Sequence, residues 1–281
     1  MLKEERKTSV YRLRFADRAP IVAKQSERAA PTAERAVYEE LLPLLPVTRP
    51  AYHGSVETAE NVWLFLDDVG DVRFSPANDE HVKAVSLWLG TMHGTSIRHL
   101  ATVCLPRHDD VTYLMHLENA RTTIGGALGD ARLNALDREV LVAALERLEA
   151  VLPMWPALEA TSSRMPLSLL HGDYRPKNVR LKETERGIEV FPLDWETAGI
   201  GPAAVDLARI SVEHYLQAIA PYCPGLAFDA LLEAQRAGQV FRWLAATDWL
   251  SSSLFESRLE KVLAGIQVST DELSTAVQRF R

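Results

Sequence analysis

Apolar and polar residues alternate near the start of the chain. Tyr11, Leu13 and Phe15 stand around Arg12 and Arg14, a period of two that predicts a half-buried strand over 9–15. The turn-prone stretch Ala16-Asp17-Arg18-Ala19-Pro20 follows, and Ile21 to Lys24 reads as the returning strand of a hairpin. The period then changes. Ala33, Val37, Leu41 and Leu44 recur at helical spacing, with Pro31 suited to a first turn and Pro43 to the end, so one helix is predicted over 31–45. Val62 to Leu66 is a continuous apolar run that reads as a central strand. The polar stretch Asp67 to Asp71 ends it and marks a lobe boundary near residue 70.

Helical spacing dominates beyond that point. Val82, Val85, Leu89 and Met92 form one stripe, with Asn78 or Asp79 as its N-cap. Asp137 to Leu152 forms another, and 203–219 and 228–265 carry further helical patterns. Residues 167–206 interrupt them. The apolar run Leu167 to Leu170 leads into His171-Gly172-Asp173. Val179 to Lys182 alternates, 184–187 suits a turn, and Ile188 to Leu193 runs back apolar. Residues 179–193 therefore read as a β-hairpin, whose strands lie ~4.8 Å apart. Its geometry brings Asn178 and Asp194 together, with Asp173 on the loop just before them.

Two carboxylates and an amide oxygen are hard ligands of the kind that suit Mg²⁺. Phosphoryl transfer needs charge neutralised on a nucleotide, and a carboxylate that orients the attacking hydroxyl. Asp194 and Asn178 fit the first need and Asp173 the second.

Composition narrows the field. The 281 residues, 47% hydrophobic and 25% charged, suit an ordinary globular protein of one large or two modest domains. A net charge of -7 argues against nucleic-acid binding through a general basic surface. The two cysteines, Cys104 and Cys223, form no CxxC pair and read as free thiols of a reducing cytoplasm. Neither a signal-peptide core nor ~20 consecutive apolar residues appears, so no membrane partner is expected. His53, His93, His99 and His108 lack HExxH spacing.

His171-Gly172-Asp173-Tyr174-Arg175-Pro176-Lys177-Asn178 fits the H-x-D-x-x-x-x-N pattern of kinase catalytic loops. With Leu193 to Glu196, Gly201-Pro202 and Asp206-Leu207, the chain resembles the aminoglycoside phosphotransferase and choline kinase family. The resemblance spans nearly the whole chain in outline. It implies an α+β, protein-kinase-like two-lobe fold: a small antiparallel-sheet N-lobe over 1–70 and a larger, mainly helical C-lobe over 71–281. It implies ATP or GTP with Mg²⁺, and a small-molecule hydroxyl acceptor: an aminoglycoside or other antibiotic, an amino alcohol, or a sugar-like metabolite. A cytoplasmic monomer or homodimer is expected.

By the same resemblance Asp173 is the catalytic base, His171 holds the loop, and Arg175 stands near the γ-phosphate. Asn178 and Asp194 are metal ligands and Glu196 helps hold a second metal, or makes a structural hydrogen bond. Asp206 braces the catalytic loop. Lys24 is the nucleotide-binding lysine, paired with Glu34 or, failing that, Glu39. Backbone groups of Asp67 and Val69 meet the base. Trp243, Asp248 and Trp249 fall on a late helix near the acceptor region, although core packing is the ordinary use of such tryptophans.

One departure stands out. Residues 4–9 occupy the place of a glycine-rich loop and contain no glycine, which leaves Thr8 and Ser9 to face phosphate. Either the usual first strand is short, or the start is truncated, or nucleotide contacts are weakened. Two other readings stay open: a catalytically silent nucleotide-binding protein, and a protein kinase, which the absence of D-F-G and A-P-E segments opposes.

Overall fold

The computed structural model describes residues 3–4, 8–27, 32–256 and 259–281. A five-stranded antiparallel sheet is built from β1 (Lys3–Glu4), β2 (Thr8–Leu13), β3 (Ile21–Glu27), β4 (Tyr52–Glu57) and β5 (Asn61–Asp67), in the order β1-β2-β3-β5-β4. The first strand exists but is two residues long. The apolar run in β5 is interior, as its lack of alternation predicts, with Val62, Leu64 and Leu66 buried. β4 was not legible in the sequence, because Tyr52, Gly54 and Val56 alternate only weakly and Gly54 sits at a bulge with φ +111°.

The helix expected over 31–45 is not continuous. α1 (Thr32–Ala36) gives way to a π turn over Val37–Leu41 and a 3₁₀ turn over Leu42–Leu44. Pro43 has no N–H to give Glu39, and its ring would clash with that carbonyl in an α-helix, so the last turns wind differently. The helix still buries Ala33, Glu34, Val37, Tyr38 and Leu41.

The remaining chain is mostly helical: α2 (Asp79–Ser96), α3 (Asp110–Ala127), α4 (Ala135–Glu149) and α5 (Trp155–Ser162), then α6 (Val212–Ile219), α7 (Phe228–Ser251) and α8 (Leu259–Phe280). Four strands stand between α5 and α6: β6 (Leu167–Leu170), β7 (Val179–Thr184), β8 (Gly187–Pro192) and β9 (Gly199–Pro202). β7 and β8 form the expected antiparallel hairpin, with Val179 opposite Pro192. The fold class is thus α+β and protein-kinase-like, with a small antiparallel-sheet lobe and a mostly helical lobe.

The chain resolves into two compact units. One comprises 1–106, 168–200 and 209–226, the other 107–167, 201–208 and 227–281. In the second, Gly238 of α7 is required by packing, because an added Cβ would run into the carbonyl oxygen of Ala204. No helix among the described residues is long and apolar enough to cross a membrane.

Candidate active site

Lys24 sits in the middle of β3, on the face shared with Val10 of β2 and Leu64 of β5. Strand alternation therefore turns a lysine toward the buried side, where only 9% of its side chain is exposed. Three carboxylates meet it there. Glu34 Oε2 and Asp194 Oδ1 each lie 2.7 Å from Nζ, and Glu196 Oε1 lies at 2.8 Å. Glu34 is 1% exposed and its second oxygen accepts the backbone N–H of Trp195 at 3.3 Å. Glu39 instead pairs with Arg35 and accepts from the hydroxyl of Tyr52, on the exposed side.

One ammonium against three carboxylates leaves a formal charge of -2. Burial pulls the Lys24 pKa down, but Glu34, Asp194 and Glu196 outweigh that and hold it well above the ordinary lysine value. Glu34 moves up as well: burial raises it, Lys24 draws it back, and Asp194 and Glu196 add to the rise. Lys24 therefore stays charged, and the surplus negative charge rests on the acids. Oxygens of Glu34, Asp194 and Glu196 lie within 4.8 Å of one another. Although Glu196 Oε1 is close to Nζ, it is buried and accepts no aligned hydrogen bond. Such a donor set suits a hard divalent cation.

Asp194 holds its place at a conformational cost. It adopts φ 67° and ψ 62°, the one left-handed non-glycine residue among those described. That turn ends β8 and starts the 3₁₀ turn Trp195–Thr197, aiming the carboxylate at Lys24 rather than along the strand.

The loop from β6 to β7 carries the second acid. Gly172, at φ +76°, lies so near the carbonyl of Thr197 that a Cβ would collide with it. Asp173 Oδ2 accepts from Arg175 Nε at 2.8 Å and from Asn178 Nδ2 at 2.9 Å, and Arg175 Nη2 lies 2.8 Å from the same oxygen. His171 is fully buried. Its Nδ1 takes the backbone N–H of Asp173 at 3.4 Å, so Nε2 carries the proton and donates to the carbonyl of Leu193 at 3.0 Å. One imidazole thus ties the Asp173 loop to the residue preceding Asp194. At the hairpin mouth the Leu193 N–H donates to the Asn178 carbonyl at 2.8 Å, which brings Asn178 beside Asp194 in backbone terms.

The other predicted residues fall as follows. Thr8 and Ser9 are the first residues of β2, opposite Ser26 and Gln25, rather than part of a loop. The segment 5–7 lies outside the described residues. The Asp67 N–H is committed to the Ala51 carbonyl at 2.9 Å and is not available to a ligand. Val69 lies two residues on, in a stretch held by Arg12, which donates to both Asp68 and Asp71. In the second unit, Asp206 is 2% exposed, Asp248 pairs with His116 at 2.7 Å, Trp243 is half-buried and Trp249 is 40% exposed. Neither tryptophan is a core residue. Sequence reasoning missed Trp195 and Thr197. Trp195 is fully buried and packs on His171 at 4.6 Å, and the Thr197 hydroxyl donates to the His171 carbonyl at 3.0 Å. The only signal for either was its position beside Asp194.

A comparison with curated protein sequences returns no match. The fold, by contrast, is shared with many solved structures. Plasmodium vivax ethanolamine kinase aligns over 96% of this chain and 82% of its own, at 11% identity and a TM-score of 0.65. The GDP complex of an aminoglycoside 2'-phosphotransferase-IIIa mutant aligns over 97% and 94%, at 13% identity and 0.64. A ternary complex of a thermostable mutant of aminoglycoside phosphotransferase APH(4)-Ia with AMP-PNP and hygromycin B aligns over 98% and 92%, at 14% identity and 0.60. The sequence pattern of the phosphotransferase enzyme family (APH) matches residues 2–251, nearly the whole chain. With the kinase-like fold and the acids gathered about Lys24 and His171, that match makes the chain a member of the phosphotransferase enzyme family.

Proposed function

We propose that the protein transfers the γ-phosphoryl group of ATP or GTP to a hydroxyl of a small molecule. The observation that carries this reading is the Lys24–Glu34–Asp194–Glu196 cluster, whose Asp194 turn His171 ties to the backbone of Asp173. Asp194, Glu196 and the amide oxygen of Asn178 would hold Mg²⁺, which when bound supplies positive charge against the nucleotide phosphates. Lys24, kept charged by its acids, turns to those phosphates, and Thr8 and Ser9 approach them from β2. The Asp67 carbonyl and Val69 backbone meet the base. Nucleotide binding belongs to residues 1–70 and the acceptor to residues 71–281.

Asp173 takes the proton of the acceptor hydroxyl as its oxygen bonds to phosphorus and the bond from phosphorus to the nucleoside diphosphate breaks. Arg175 and Asn178 orient that carboxylate, His171 holds the backbone N–H of the same residue, and Arg175 stands ready for the transferred phosphoryl group. Relatives of this fold are named for aminoglycosides, ethanolamine and aminopropanol, so amino-bearing alcohols are the first acceptors to test. An aminoglycoside acceptor would make the activity one of antibiotic resistance, exercised in the cytoplasm by a monomer or homodimer.

The test is acceptor-dependent release of ADP or GDP with Mg²⁺ across such a panel. Asp173→Ala should lower turnover by about a hundredfold or more while leaving nucleotide affinity unchanged. Near-normal turnover in that variant would show that Asp173 is not the base.

A further inference from the structure

One cavity of the first unit lies away from the acids. It measures about 530 Å³, well within the range of small-ligand sites, and none of its lining residues belongs to the cluster or the catalytic loop. Val47, Leu87, Trp88 and Ile188 give it apolar walls, and Lys83, Arg186 and Glu80 stand at it with their charges. Lys83 and Arg186 are exposed and pair with no acid among the described residues, in a chain whose net charge is -7. Two cations against one anion favour a ligand with a single negative charge.

Trp88 connects this cavity to the catalytic residues. Its ring stacks on Tyr174 at 6.2 Å, 14° from parallel, and meets Trp195 at 6.5 Å. These two residues directly follow Asp173 and Asp194, and both pack on His171, at 5.7 and 4.6 Å. Four rings thus form one block, whose outer side is a cavity wall. The cavity floor is clamped to the same block. Thr48 Oγ1 donates to the Val190 carbonyl at 2.6 Å and takes the Val190 N–H at 3.3 Å, while Trp88 Nε1 donates to the Thr48 carbonyl at 2.9 Å. Val190 lies on the strand that ends just before Asp194.

We infer that this cavity is an effector site for a flat aromatic acid. The ring lies against Trp88 and the apolar walls, and the acid group lies at Lys83 and Arg186. Occupancy shifts the ring block and with it the loops that carry Asp173 and Asp194. The consequence for phosphoryl transfer rests on the function proposed above; the binding and the coupling do not.

The probe is 1-anilinonaphthalene-8-sulfonate, titrated into the full chain with and without saturating Mg²⁺–nucleotide. One saturable site is expected, retained when nucleotide is present. The Lys83→Glu/Arg186→Glu double variant, changed at two exposed positions, should bind the dye about fivefold more weakly or worse. Hydrogen exchange should slow or quicken at 171–175 and 193–197 on dye binding in the parent chain, and not in the double variant at the same dye concentration. Displacement of the dye by nucleotide, or equal affinity in the double variant, would overturn the site. Saturable binding with no exchange change at those residues would overturn the coupling. A chain that binds the dye as expected but no nucleotide would sink the proposed function and leave this site standing.

Discussion

Lys24 holds together three acids that would otherwise repel one another. Removing one partner of a buried ion pair costs about 3–5 kcal/mol, because the other is left uncompensated. Lys24→Met does this to the buried Glu34 carboxylate, with Asp194 and Glu196 beside it. The pH dependence has a definite sign. Glu34 already titrates above the ordinary carboxyl range, and without Lys24 it rises further, so the native variant binds a proton that the unfolded chain releases. The deficit of Lys24→Met should therefore grow as pH rises from about 5 to about 8. Urea unfolding of both proteins at the two values checks it. A deficit independent of pH would mean that Glu34 is not the charge Lys24 balances.

Elements carried different amounts of legible information. The β7–β8 hairpin was readable because alternation, a turn and a returning apolar run all fall within sixteen residues. α3 was not predicted, although Tyr113, Leu117, Ala120, Ile124 and Ala127 make a regular buried stripe. Val111 and Met115, apolar and 58% exposed, blur its period, and Gly125-Gly126 argues against a helix. The link from α3 to α4 has a charged device of its own. Asp130 accepts from the N–H, Nε and Nη2 of Arg132, which also donates to the carbonyls of Leu254 and Glu256. The Arg132 hydrogen bonds hold the Asp130 carboxyl down at about 2, from 3.8. A depressed acid contributes stability above its unfolded pKa and loses it as pH falls through the folded value. Asp130→Asn should thus show a constant stability deficit above about pH 4 that shrinks toward zero near pH 2. Denaturant midpoints of parent and variant across that range give the answer, and a deficit persisting at pH 2 would assign it to lost shape rather than charge.

On the scale of the molecule, a ligand that binds only the native state raises stability by about 2.7 kcal/mol at one hundred times its Kd. Mg²⁺–nucleotide should therefore raise the melting temperature of the whole chain, by more than nucleotide with a chelator. Asp194→Asn should remove most of that difference. An unchanged response in the variant would place the metal elsewhere.

The amino-acid sequence by itself determined the local parts: the period-two strands, the catalytic hairpin, the spacing of Asp173, Asn178 and Asp194, and the short span from Lys24 to Glu34. These depend on side-chain alternation and on turns, interactions that reach only a few residues along the chain. Only the tertiary structure decided that Asp194 and Glu196 share the Lys24 ammonium with Glu34, across 170 residues of chain for Asp194. The same holds for the left-handed turn that aims Asp194, and for the imidazole that ties the backbone of Asp173 to that of Leu193. Ion-pair partners and backbone strain are selected by what packing brings within about 3 Å, and no short-range period along a sequence encodes that distance.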